Sequence, residues 1–205
     1  KLTPPIRMVI VADSAYQANS DLTECLALRG YLIMIVGGQY SSSKFPGGHG
    51  YVLEWVSKKF NTITRSSFCA ELRNQLEAAQ SGIQFCTFME ENKTPFASAV
   101  ALAEAQDRGQ LTLPAFLVGD NKGVFLAVSA QNPKVATEPT LTPHIRGIKE
   151  LVEKGAIRGI IWCDNRDMIA DPFTKGKTKR NELNDVLNQA EWIVANPTET
   201  WPPLR

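Results

Sequence analysis

Histidine is scarce and dispersed in this chain: His49 stands in a glycine-rich stretch and His144 beside a proline. Two such residues do not make a zinc centre, which draws on a cluster of nitrogen and sulfur ligands. Cysteine is equally thin. Cys25, Cys69, Cys86 and Cys163 form no CxxC pair, which argues against a zinc ribbon or a disulfide frame and fits a reducing compartment. No signal-like segment and no apolar run of membrane length occurs. An excess of one charge is missing too. The 22 Lys and Arg against 21 Asp and Glu leave +1, so any basic nucleic-acid footprint has to be local.

What is present is a globular balance, with 43% hydrophobic and 21% charged residues. The pattern predicts one domain over residues 1–205, with a core from about 6 to 194 and an irregular tail over 196–205. A first residue that is Lys, and a Pro-rich end, read as a segment of something longer.

The apolar run Met8-Val9-Ile10-Val11-Ala12 stops on one acid, Asp13, and predicts a buried strand ending there. Residues 14–24 read as a polar loop, and 30–36 and 51–57 as two further strands. The glycine-rich stretch over 40–50 lacks P-loop spacing and reads as a flexible connection. Ser66 or Ser67 caps a helix to about residue 90, placing Glu71 in its first turn at the border of the apolar stripe Phe68, Leu72, Leu76, Ala79, Ile83 and Cys86. An Ala-rich helical piece covers 97–108. A fourth strand over 113–118 again runs into an acid, Gly119-Asp120-Asn121, and a helix over 122–129 follows. Thr142 and Pro143 open a helix that stops at Gly155, and 157–163 is a fifth strand. Pro172 limits the next run to a short turn ending at Asp171, before a last helix over 178–194. The fold class is α/β: a five-stranded mixed sheet, three antiparallel strands then parallel ones, flanked by helices.

If strands one and four are parallel neighbours, Asp13 and Asp120 emerge side by side at the carboxyl edge, where open α/β sheets place their sites. Each acid also has a plain explanation, Asp13 as a cap and Glu71 as a complement to the helix dipole. Together they repel, and hard divalent cations relieve that repulsion. Two Mg²⁺ ions about 4 Å apart can clamp the attacking and leaving oxygens of a phosphodiester.

From about Met8 to Lys175 the chain resembles the ribonuclease H domain of copia-like LTR retrotransposons. The matching pieces are Ala12-Asp13-Ser14-Ala15-Tyr16, Arg29-Gly30-Tyr31, Glu54-Trp55-Val56-Ser57-Lys58-Lys59, Ser66-Ser67 with Ala70-Glu71, Asp120-Asn121, and Ile169-Ala170-Asp171-Pro172-Phe173-Thr174-Lys175. The ordered set carries the likeness. The resemblance implies a ribonuclease-H-like fold and an endonuclease cutting the RNA strand of RNA/DNA hybrids with two Mg²⁺ or Mn²⁺ ions. It implies catalytic and metal-binding roles for Asp13, Glu71, Asp120 and Asp171. Asp13 would bridge both ions, Glu71 and Asp120 would hold the one on the leaving-group side, and Asp171 the one that activates water. It further implies a reverse transcriptase in the same polyprotein and an intracellular setting, in cytoplasm, nucleus or virus-like particles. The local basic groups Lys58, Lys59, Lys175, Lys177, Lys179 and Arg180, with Asn121, are the expected substrate contacts.

The chain departs from the family in places. Phe68-Cys69 stand where a further Glu is usual, stretches 39–50 and 92–112 read as insertions, and no His lies between Gly155 and Asp171. His144 matches a family His by context and equally suits a first-turn packing residue. Three other readings are open. A DEDD-type exonuclease needs a Glu where Ala15 stands, and a DDE integrase would use Glu153 and leave Glu71 idle. A degenerate module would only hold a hybrid.

Overall fold

The computed structural model describes residues 2–16, 26–38, 45–95, 97–131, 138–176 and 180–203. Its centre is β1 (Arg7–Ala15), where Met8 to Ala12 are all fully buried. Period-two alternation splits that run between two layers. Met8, Ile10 and Ala12 face one apolar cluster, and Val9 and Val11 face another. A strand covered on both sides reads as a continuous apolar run, as here.

β2 (Leu28–Gly37) and β3 (Gly48–Lys59) complete an antiparallel meander with β1. α1 (Ser67–Lys93) crosses back over the first layer, and α2 (Ala99–Asp107) follows it. β4 (Ala115–Gly119) then pairs parallel with β1, and β5 (Gly159–Trp162) parallel with β4. Between them lie α3 (Lys122–Ser129) and α4 (Thr142–Glu153). α5 (Asn181–Gln189) covers the second layer. α1 lies unusually close to β1 at Gly82, where an added Cβ would collide with the Ile10 side chain.

The sheet has seven strands rather than five, in the order β6-β3-β2-β1-β4-β5-β7. The additions are β6 (Glu191–Trp192) and β7 (Glu199–Trp201), each too short for alternation to reveal. β6 exists because α5 stops early: Ala190 turns left-handed at φ 55°, and the chain then pairs with Gly48 and His49. β7 pairs antiparallel with β5, so the tail is not irregular throughout.

Other boundaries move. β1 continues two residues past Asp13, because β2 stays paired with it through Ala15. The glycine-rich stretch is part scaffold. Gly48, His49 and Gly50 belong to β3, and Phe45 is buried edge-on against Phe116 at 4.9 Å. The buried Arg7 guanidinium donates to the carbonyls of Pro46 and Gly47, at 3.1 and 2.6 Å. The turn at Asp171 begins there rather than ending there, as a 3₁₀ turn over Asp171–Phe173 with Pro172 at its first positions. Among the described residues no helix is long and apolar enough to cross a membrane.

Candidate metal centre

The parallel ladder between β1 and β4 ends at the pair Val11 and Val118. Asp13 and Asp120 each stand two residues beyond it, at the same level of the sheet's edge. Glu71 arrives from α1, as the fifth residue after the Ser66 cap, so it lies beyond the first turn and the dipole does not account for it. Its Oε1 accepts the Ser14 N–H at 3.1 Å. One oxygen from each of Asp13, Glu71 and Asp120 lies within 4.8 Å of the other two. Asp171 stands outside that triad and is joined to it by Lys175, whose Nζ is 2.7 Å from Asp171 Oδ1 and 3.5 Å from Asp13 Oδ1.

Burial and crowding shape these charges. Glu71 is pushed well above the usual carboxylate range, by burial first and then by Asp13 and Asp120. Asp120 is raised to about 6, again by burial and then by Asp13, with Lys175 opposing. Burial also raises Asp171, against the Lys175 hydrogen bond. Burial pulls the Lys175 ammonium down, but its bond to Asp171 and the nearby acids outweigh this and leave it raised. Glu71 Oε2 is buried with no hydrogen-bond partner. A buried carboxylate with one unpartnered oxygen, clustered with two more acids, is a donor set for a hard cation. The residues fit one.

Neighbours hold the acids in place. Thr174 Oγ1 donates to Asp13 Oδ2. The buried Asn74 Nδ2 donates to the carbonyls of Asp13 and Gly30, at 2.6 and 2.9 Å. Trp162 Nε1 donates to the Asp120 carbonyl at 2.7 Å. Sequence reasoning gave none of the three a role, and Thr174 entered only as a letter of the motif ending in Lys175. Asn74 left a signal, a polar residue one turn on from Glu71 and facing inward among apolar ones. Thr174 and Trp162 left none, because their contacts span long stretches of chain.

The expected substrate contacts separate. Asn121 lines the cleft beside Asp120, but its Oδ1 caps α3 by accepting Val124 N–H at 3.1 Å. Lys58 and Lys59 fall on opposite faces of β3 by alternation. Lys175 is engaged with the acids rather than open to phosphate. Arg180 is exposed, and Lys177 and Lys179 lie outside the described residues. His144 is away from the acids, in a cavity with Arg29 and Arg73. The cleft over the acids, about 490 Å³, is completed by Lys122, Trp162, Asp164 and Asn165.

No protein-family model matches this chain, and no curated protein matches it. Among solved structures it is similar to an RNase H1 isolated from compost by a metagenomic approach, with a TM-score of 0.50 and 13% identity. The match spans 83% of this chain and 94% of that one. The fold is that of a ribonuclease H.

Proposed function

We propose that this chain is a divalent-metal-dependent ribonuclease H that cuts the RNA strand of RNA/DNA hybrids. The observation that carries the reading is the triad of Asp13, Glu71 and Asp120 at the carboxyl edge of the parallel strands, with Glu71 Oε2 left orphaned. Asp13, Glu71, Asp120 and Asp171 are the residues that would hold Mg²⁺ or Mn²⁺, two ions in all. When bound, such a pair supplies charge neutralisation at the phosphoryl oxygens and a more acidic water.

The chain's own residues do the rest. Thr174 and Asn74 fix the Asp13 carboxylate and backbone, so the site is preorganised before any substrate arrives. Trp162 fixes the Asp120 backbone. Lys175 balances the charge of Asp13 and Asp171 and has to yield part of that contact when cations load. Selection for a hybrid would come from 2′-hydroxyl contacts across a shallow minor groove rather than from base edges.

We also assign the chain to a copia-like retrotransposon polyprotein, next to a reverse transcriptase. This rests on the ordered motifs from Ala12-Asp13 to Thr174-Lys175. The integrase reading loses ground, since Glu153 is exposed on α4 and stands outside the acid cluster. The inactive-module reading has to explain why mutually repelling acids are retained.

The test is a labelled RNA/DNA hybrid incubated with Mg²⁺, Mn²⁺ or chelator, beside single-stranded RNA, double-stranded RNA and duplex DNA. Metal-dependent cutting of the hybrid's RNA strand is expected. Equal cutting of duplex DNA, or cutting in chelator, would overturn the proposal.

A further inference from the structure

Trp55 is 62% exposed, although tryptophan is among the residues most buried on average. Its ring lies parallel to that of Phe173, with centroids 5.8 Å apart and planes 8° from parallel. Phe173 closes the turn that begins with Asp171, and its carbonyl accepts the Ser57 hydroxyl at 2.6 Å. The pair is therefore a fixed, two-ring platform with one open π-face.

Its position follows from the sheet register. Asp13 pairs with Gly30, and Gly30 with Ser57, so the three form a row across β1, β2 and β3. Val56 packs into the cluster under α1, whereas Ser57 reaches Phe173 on the other face. By alternation Trp55, Ser57 and Lys59 share that second face. The turn bearing Asp171, Thr174 and Lys175 lies on it too, through Met168, Ile169 and Ala170. At about 4.8 Å between strands and 3.4 Å per residue, two strands over and two residues along put Trp55 about 12 Å from Asp13. That is roughly three to four nucleotides of rise along one strand of a duplex.

We propose that Trp55, backed by Phe173, is a stacking shelf that takes a nucleobase or sugar of the substrate, about three to four nucleotides from the scissile phosphate. The inference rests on the nuclease reading and deepens it. Aromatic faces on which bases or sugars stack are how proteins grip nucleic acid without reading its sequence, and Lys59 lies two steps of alternation further along the same face of β3. A tryptophan present only to cover Phe173 has no need of an open face, and a leucine would cover it as well.

The experiment compares wild type with Trp55→Leu, Trp55→Ala and Trp55→Phe. Binding of a short fluorescein-labelled RNA/DNA hybrid is read by anisotropy in Ca²⁺, and cleavage kinetics in Mg²⁺. Trp55→Leu and Trp55→Ala should weaken binding and raise KM by about five- to a hundredfold, the range that base–aromatic stacking covers. The kcat should stay within about twofold, because binding and not chemistry is lost. Trp55→Phe should restore most of the affinity. Thermal melting should hardly move, as the ring is mostly exposed.

Hybrids with one abasic position, placed in the RNA or the DNA strand, separate the two sources. If a base stacks, an abasic residue at its position erases the difference between wild type and Trp55→Leu; if a sugar stacks, the difference survives. Unchanged binding and KM in Trp55→Leu overturn the shelf. So does a fall in kcat alone, which would make Trp55 a prop for Asp171. A wild type that neither binds nor cuts the hybrid overturns the nuclease reading and the shelf with it.

Discussion

Asp13 and Gly30 stand directly opposite each other on β1 and β2, and the side chain that Gly30 lacks is the space that Thr174 and Phe173 occupy. A Cβ there would sit 2.7 Å from Phe173 Cβ and 2.8 Å from Thr174 Cγ2. Gly30→Ala should push the Asp171 turn away from the sheet and strain the Thr174 bond to Asp13. The expected loss is about 1–3 kcal/mol, typical of overpacking, with cleavage impaired beyond what lost folding explains. A variant as stable and active as wild type in melting and hybrid assays would show that the turn has slack.

Asp13→Asn should abolish cleavage and leave the fold intact. Metal charge stabilisation contributes several kcal/mol, so the loss should be at least about a hundredfold. Asp120→Asn and Glu71→Gln should behave likewise, and Asp120→Asn should raise the metal-free melting temperature at neutral pH by relieving repulsion. Glu150→Gln and Glu153→Gln should cleave normally. A dead Glu153→Gln beside an active Glu71→Gln would favour the integrase arrangement.

The raised acids set a pH dependence. Folded Asp120 keeps its proton to about 6 against 3.8 for the ordinary group, and Glu71 is raised in the same direction. Between those values the folded state binds more protons than the unfolded one, so stability falls as pH rises. The metal-free melting temperature should therefore drop from about pH 5 to about pH 7.5, and Mg²⁺ should raise it more at the higher pH, where the carboxylates are bare. A melting temperature that rises over this window in chelator would contradict the raised acids.

Thr174→Val keeps the shape of the side chain and removes its hydrogen bond to Asp13. Loss of a group that orients a metal ligand typically lowers metal affinity by about 10–100-fold. The Mg²⁺ concentration for half-maximal cleavage should rise accordingly, with little change at saturating Mg²⁺. Unaltered Mg²⁺ dependence would leave Thr174 a packing residue.

With a net charge of +1, hybrid binding should depend only modestly on salt. About four phosphate contacts give a log–log slope near −3 to −4. Replacing Lys59 and Arg180 with Gln should flatten it by about 1–2. Lys58→Gln should not, since that side chain points to the opposite face. Equal effects from Lys58 and Lys59 would show that the hybrid wraps the edge of β3.

The sequence made legible the acid that follows each of two apolar runs, and it placed Asp13 beside Asp120 on the condition that β1 and β4 pair in parallel, which they do. Glu71 was legible from its helical stripe, although with Ser66 as the cap it falls just beyond the first turn rather than in it. Thr174 and Trp162 were not. Their partners lie far away in sequence, and hydroxyl or indole contacts leave no period to read. The short strands β6 and β7 escaped for a different reason, since two or three residues cannot display alternation. The lysine pair at 58–59 looked like one patch in a linear reading, and the pleat divides it.

The pairing of β7 with β5 has a practical consequence for shortened versions of the chain. Residues after 195 look expendable in the sequence, yet Glu199, Thr200 and Trp201 pair with Trp162, Ile161 and Ile160, and Glu199 also holds Lys122 at the rim of the cleft. A protein trimmed at that point leaves the outer backbone of β5 without its cover, a border that recruits strands from other molecules. Poor solubility of such a clone would report a missing hem on the sheet rather than a fault at the acid cluster.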